Sequence, residues 1–382
     1  MLNNLLVLTQ VSQTLILPKD FNVNDNEKTI AALPLTVRRP MSAILPFIND
    51  DEIFDCCLKT FQSLFKVSKL NYKRWVLTYS GGKDSTLTAI LTLIFLENNR
   101  KINPNLKIVY SDTLLEIAPL RKAAADFLRK AEERINTLQL KGSVHIVRPQ
   151  VADTFWVRML GRGYPPPGPH FRWCTKKLKV LPVQRLLEQD PAEKTLILTG
   201  VRYSESQKRK ERLVASCANG GECGQDFWFM NGPKGRNQDY HAPIVEWRTC
   251  KVWDFLAFTA PQLGWPTENL FKLYGFQDLR FGCWTCTLMK EDRTMQELAG
   301  RAGMEHLGEL HNFRKRLIEL GWDKKRRVSR PDGKMGPMDM ETRKTLLSEL
   351  KSLQKNLRIS LISSEELAAI GKEWSKDSWR NR

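Results

Sequence analysis

The chain has 382 residues, 42% of them apolar, enough to bury one large domain with appendages or two domains, which excludes a disordered protein. Its 60 Lys and Arg against 42 Asp and Glu leave a net charge of +18, an excess that attracts polyanions such as nucleic acid or nucleotides and says nothing about fold. The first 20 residues lack a positive leading region and no run reaches the ~18–20 apolar residues of a membrane span, so the expected compartment is the cytoplasm, where eight cysteines are buried, metal-bound or catalytic rather than a disulfide framework.

Residues 1–70 read as an N-terminal extension that ends in a helix. Ile53, Phe54, Cys57, Leu58, Phe61, Leu64 and Phe65 repeat at helical spacing behind the cap candidates Asp50 and Asp51. Cys56 and Cys57 lie inside that helix and read as small apolar residues.

From about residue 74 the pattern changes to short Val/Ile/Leu strands alternating with helices. The strands are WVLTY, KIVYSDT, SVHIVRP and TLILTGV (195–201), and the helices cover 84–98 and 116–139. This alternation predicts an α/β fold with a doubly wound parallel sheet and helices on both faces. Ligands of such sheets gather at the carboxyl ends of the strands, so TYSGGKDS and VYSDT should meet in one crevice.

Between the first strand and its helix stand Ser80, Gly81, Gly82, Lys83, Asp84, Ser85 and Thr86. Two glycines let the backbone turn its amides onto an anion, and the helix that starts near Asp84 points its positive end at the same spot. The hydroxyls of Ser80, Ser85 and Thr86 and the ammonium of Lys83 complete a pyrophosphate cradle. Asp84 either caps the helix or helps hold Mg²⁺. The segment is not GxxxxGK[ST], because its lysine precedes an aspartate. SGGKDS resembles the PP-loop of the ATP pyrophosphatases, also called adenine nucleotide alpha hydrolase-like proteins. That resemblance implies ATP as cofactor, cleaved between its α- and β-phosphates, and a nucleotide contact at Asp112 after the second strand; the alternative for Asp112 is an Asp-Thr turn cap.

Beyond the sheet the chain becomes irregular, with GRGYPPPGPHFRWC, ASCANGGECGQ and RFGCWTC. Cys283 and Cys286 form a CxxC that suits zinc, a redox pair or an iron–sulfur cluster. Two further thiolates would come from Cys174, Cys217, Cys223 or Cys250. Cys250, ahead of VWDFLAF, reads as a core residue, and Cys223 ranks above Cys217 because Gly221 and Gly224 flank it. Arg172, Lys176 and Lys177 flank Cys174 and are expected to lower its pKa.

DTFWVRMLGRGYPPPGPHFRWCTKKLKVLP from Asp153, GVRYSESQKR, APIVEWRTCKVWDFL and FGCWTCTLMKEDRTM together resemble the DndC/SspD branch of the phosphoadenosine-phosphosulfate-reductase-like proteins, from about residue 75 to about 350. The resemblance implies a PP-loop domain with iron–sulfur loops over 71–287 and a helical basic region over 288–382. It further implies a 4Fe-4S cluster on Cys174, Cys223, Cys283 and Cys286, and DNA phosphorothioation, in which a non-bridging backbone oxygen is replaced by sulfur. In that chemistry ATP with Mg²⁺ adenylates the DNA phosphate, sulfur from a cysteine desulfurase displaces AMP, and other subunits of a phosphorothioation complex take part. NLFKLYGFQDLRFGCWTC departs from the pattern by supplying no extra cysteine, which turns the search for the fourth ligand to 217–223.

The catalytic candidates are Ser80, Lys83, Asp84, Arg202 and Arg209, the two arginines standing with Ser204 and Glu205 after the fourth strand as a phosphate clamp. Arg314, Lys315, Arg316, Lys324, Lys325, Arg326, Arg327, Arg330 and Lys334 read as a track for the DNA backbone. Rival readings are a reductase of adenylylated sulfate, RNA thiolation and a non-catalytic scaffold that senses ATP.

Overall fold

The computed structural model of the chain describes residues 23–169, 171–189, 193–205, 229–230, 232, 237–274, 282–289, 291–329 and 334–380. Strands β1 (Arg74–Tyr79), β2 (Asn105–Ser111), β3 (Gly142–Val147), β4 (Thr195–Leu198), β5 (Phe229–Met230) and β6 (Gln238–His241) form one sheet in the order β3–β2–β1–β4–β6–β5. Five strands run parallel and β5 closes the edge antiparallel. The chain builds outward from β1 to β2 and β3, then returns to lay β4 and β6 on the other side. The order therefore switches at β1 and β4, and the crevice outside their carboxyl ends is where such a sheet holds a ligand.

The helices follow from burial. Helix α1 (Val23–Ala31), α2 (Leu35–Ile44) and α3 (Asp51–Ser68) precede the sheet. The Asp50 side chain caps α3 by accepting from Ile53 N at 2.9 Å, as the cap candidates predicted. Helix α4 (Lys83–Glu97) has no polar face: every residue except Asp84 and Glu97 is buried. A helix apolar all round must be enclosed, and α4 is enclosed by β1, α2, α3 and α7, a helix that runs from Thr249–Asp254 through a π-helical turn, Phe255–Thr259, to Ala260–Gln262. Before it come α5 (Ala118–Thr137), whose start is set by Pro119, and α6, a π-helical turn Thr175–Val180 continuing as Leu181–Leu187.

Helix α8 (Glu268–Tyr274) is followed by α9 (Arg293–Ala299), α10 (His306–Trp322), the hairpin β7 (Arg327–Ser329) and β8 (Met335–Met338), α11 (Met340–Leu357) and α12 (Ser364–Arg380). One apolar core runs through all of this: Phe54 and Phe61 of α3, Leu91 of α4, Trp156, Trp284, Leu317 of α10 and Leu346 of α11 belong to a single buried cluster. Side chains tie its distant parts together. Ser63 pairs with His241 at 2.8 Å, Lys251 with Asp50 at 2.7 Å, and Trp156 Nε1 donates to the Leu361 carbonyl at 2.7 Å. The three segments marked out in the sequence thus share one interior. Among the described residues no helix is long and apolar enough to cross a membrane.

Candidate functional site

The loop at the head of α4 is shaped by its own hydroxyls. Gly81 takes φ +76°, a left-handed turn that only glycine adopts without strain, and a Cβ there would sit 3.1 Å from Ala124 Cβ. Ser85 Oγ donates to the Gly82 carbonyl at 2.9 Å and accepts from Ser80 N at 3.2 Å; Ser80 Oγ lies 3.1 Å from it. Thr86 Oγ1 also donates to the Gly82 carbonyl, at 3.0 Å, and Thr86 is buried beneath the loop beside Tyr79. Ser80, Gly82, Lys83, Asp84 and Ser85 line the cleft; Gly81 and Thr86 shape the turn from behind it.

Asp84 sits between two cations. Its Oδ2 is 3.3 Å from Lys83 Nζ, and its Oδ1 accepts from Arg202 Nε at 2.7 Å. Arg202 is only 1% exposed, and its remaining donors reach Ser204 Oγ (2.7 Å), the Trp247 carbonyl (3.0 Å) and Thr249 Oγ1 (3.2 Å). Arg202, one half of the expected phosphate clamp, lines the cleft with its guanidinium on Asp84 and the start of α7, because a buried guanidinium takes the nearest carboxylate and carbonyls. Gly200 makes this approach possible, since a Cβ there would lie 2.8 Å from the Asp84 backbone. The strand expected over 195–201 accordingly ends at Leu198, and the rest of the segment turns into the site.

The cleft encloses about 860 Å³ at the carboxyl ends of β1, β2, β4 and β6. One wall is apolar: Val180, Val183 and Leu187 of α6 with Ile197 and Tyr240. Tyr274 from α8 lies over Lys83, 5.8 Å from its ammonium, and burial raises the phenol's pKa. Two charged residues that sequence reasoning passed over also line it, Glu116 and Lys179. Asp112 does not line it. Its Oδ1 accepts from Leu114 N at 3.0 Å and its Oδ2 pairs with Arg148 at 2.8 Å, the turn cap that was the alternative to nucleotide contact.

Cys174, Cys283 and Cys286 are half-buried and near enough for the charge of Cys286 to act on both other thiols. Among the described residues, no three His, Cys, Asp or Glu side chains converge as metal ligands. Burial pushes the Cys283 thiol up to about 11 and raises that of Cys174 as well. The lowering expected at Cys174 from its flanking cations is thus overturned: desolvation dominates, and Lys177 turns instead to Asp153 at 3.3 Å. Cys250, expected in the core, is exposed on the first turn of α7, while Cys57 is buried as expected. Arg209, Cys217 and Cys223 lie outside the described residues.

Of the basic track, one arginine turns inward and others are paired. Arg314 is fully buried and donates to the Cys286 and Met289 carbonyls, so it braces the CxxC loop. Arg316 pairs with Glu319 and Glu349, Arg326 with Asp323, and Arg327 donates to the Gly336 carbonyl across the hairpin. Only a tertiary contact could reveal these roles, because nothing in a run of cations says which of them folds inward. Arg330 lies outside the described residues. On α11, exposed Lys344, Lys351 and Lys355 line a groove with Trp374.

Residues 74–289 match the family model of the phosphoadenosine phosphosulfate reductase domain. An uncharacterized protein of Methanocaldococcus jannaschii is 24% identical over 257 residues, 67% of this chain; the chain spans 41% of that relative's length. Among solved structures, the phosphoadenylyl-sulfate reductase of Candida auris in its phosphate complex aligns over 72% of this chain and all of its own at 14% identity and a TM-score of 0.36. The U34-tRNA thiolase of Methanococcus maripaludis with its 4Fe-4S cluster aligns over 69% and 79% of the two chains at 14% identity and a TM-score of 0.33.

Proposed function

Because the chain belongs to the phosphoadenosine phosphosulfate reductase domain family, we propose that its cleft binds ATP with Mg²⁺ and cleaves it to AMP and pyrophosphate, adenylating a DNA backbone phosphate so that sulfur can replace one of its oxygens. The observation that carries this reading is the glycine turn and Lys83 at the head of α4, opening into a large cleft at the switch point of a parallel sheet.

The loop amides, the α4 N-terminus and Lys83 take up the charge that pyrophosphate gains as it leaves, while the attacking oxygen approaches the α-phosphorus from the open side. Asp84, with both oxygens on cations, orients Lys83; Mg²⁺ brought in with the nucleotide would add charge neutralisation. Catalysis here is mainly placement and neutralisation. A cysteine desulfurase supplies sulfur as a persulfide whose outer sulfur attacks phosphorus and displaces AMP, a thiol reductant then cleaves the S–S bond with two electrons to leave the phosphorothioate, and sequence choice belongs to other subunits of a phosphorothioation complex.

Thiol-only donors suit a soft metal, but Cys174, Cys283 and Cys286 do not converge as they stand, so an iron–sulfur cluster on them, with the fourth ligand expected at Cys223, would require their loops to draw together. Such a cluster supplies electron-transfer or sulfur-handling chemistry when bound. Cations for the DNA backbone are the exposed Lys344, Lys351 and Lys355, together with Lys324 and Lys325.

The test is pyrophosphate release from ATP by purified chain in the presence of DNA. Release by the wild type that Lys83→Ala abolishes supports the reading; equal release by the variant refutes it. The family itself favours a second reading, a reductase of an adenylylated sulfate, which would turn over that small nucleotide and release no pyrophosphate from ATP.

A further inference from the structure

Two large aromatic rings stand open to solvent around one turn of the proline-rich loop. Phe171 is 43% exposed, and Trp322, at the end of α10, is 42% exposed. Gly168 joins them. Its amide and carbonyl bond the carbonyl and amide of Phe171 at 3.3 and 3.0 Å, and a Cβ on it would lie 2.8 Å from the Trp322 ring. Both rings are seated. Tyr164 packs against Phe171 with ring centroids 5.8 Å apart and stands edge-on to buried Trp173 at 5.7 Å, while Pro166 sits against Gly321 beside Trp322.

The free charge around these rings has one sign. Arg172 and Lys176 follow Phe171, Lys324 and Lys325 follow Trp322, and all four are exposed and make no ion pair among the described residues. The carboxylate in this stretch, Asp323, is engaged by Arg326 and by the amide of Lys325. Open rings bordered by unpaired cations complement bases bordered by phosphates. A duplex keeps the faces of its bases in the stack, so the rings serve only a strand whose bases are unpaired. The chain from Phe171 to Thr175, which lines the cleft, spans at most about 14 Å.

We propose that Phe171 and Trp322 form a stacking platform for an unpaired nucleic acid strand, with Arg172, Lys176, Lys324 and Lys325 on its phosphates, and that the platform holds the strand beside the cleft. This rests on the reading of the protein as one that acts on a nucleic acid backbone, and it adds the strandedness of that substrate.

Fluorescence anisotropy of the full chain with a labelled mixed-sequence oligodeoxynucleotide, single-stranded or annealed to its complement, tests it. The wild type should bind the single strand at least about tenfold more tightly than the duplex. Phe171→Ala and Trp322→Ala should each weaken the single strand about five- to a hundredfold, the range for one base on an aromatic ring, and leave the duplex within about twofold. Trp322→Phe, which keeps a ring against Gly168, should retain most of the affinity, separating stacking from folding. Lys324→Ala and Lys325→Ala should each reduce the logarithmic salt slope for the single strand by about 0.7. No preference in the wild type, single-strand affinity unchanged in both alanine variants, or an equal loss for both forms overturns the inference while the nucleic acid reading stands; the open rings then belong to a protein partner or to the fold. If the wild type binds neither form, the nucleic acid reading fails and the inference fails with it.

Discussion

Arg202 and Arg314 carry the same group to different ends, and in both cases burial decides the role. Arg202 bonds Asp84 and the Trp247 carbonyl; Arg314 bonds two carbonyls of the CxxC loop. Arg202→Met would leave the Asp84 carboxylate with Lys83 alone, and we expect a loss of about 3–5 kcal/mol in urea unfolding together with loss of ATP binding. Thiol chemistry follows the same logic. A thiol with its pKa raised to about 11 stays protonated at neutral pH and yields thiolate only as pH climbs toward that value, so metal-free Cys283 should resist alkylation at pH 8. Exposed Cys250 should react first. Peptide mapping after a limited iodoacetamide pulse gives the order, and equal labelling of the two would contradict the burial of Cys283.

At the scale of elements, the site is a meeting of two chain reversals, the turn into α4 and the exit from β4. Gly200 lets them touch, so Gly200→Ala must move one of them, with a Cβ only 2.8 Å from the Asp84 backbone. The expected result is at least about a tenfold loss of ATP affinity, measured by titration, because the amides of the loop no longer converge. Asp50→Ala acts on a helix end instead. It removes the α3 cap together with the pair to Lys251 and should lower stability by at least about 1 kcal/mol in denaturant unfolding.

For the whole molecule, charge and a shared interior set the behaviour. Asp153 is buried, which alone would raise its pKa, but Arg158 and Lys177 outweigh this and hold it below the ordinary carboxylate range. Its contribution to stability is complete above about pH 4 and is lost as pH falls through the lower folded-state value, so acid unfolding should be shallower in Asp153→Asn. Unfolding curves between about pH 5 and pH 2.5 measure the difference. DNA binding, if it uses the α11 groove, should lose about 0.9 from its logarithmic salt slope for each of Lys344, Lys351 and Lys355 reversed to glutamate. An unchanged slope would place the DNA elsewhere.

Much of this was legible from local pattern. Strand–helix alternation located the sheet, the glycines and hydroxyls located the turn that opens into the cleft, and helical spacing located α3, because each depends on residues within a few positions of one another. Glu116 left no such signal: a single carboxylate after a strand acquires meaning only when Thr113 fixes it and a cleft forms around it. Nor could the basic run reveal that Arg314 turns inward, or spacing show that desolvation at Cys174 outweighs its neighbouring lysines. The sequence by itself determined the fold class, the glycine–hydroxyl turn at the head of α4 and the excess of positive charge, all of which are properties of short stretches or of composition. Tertiary structure alone decided which charges are buried, which are paired and which face the cleft, because desolvation and ion pairing depend on distances between residues far apart in the chain.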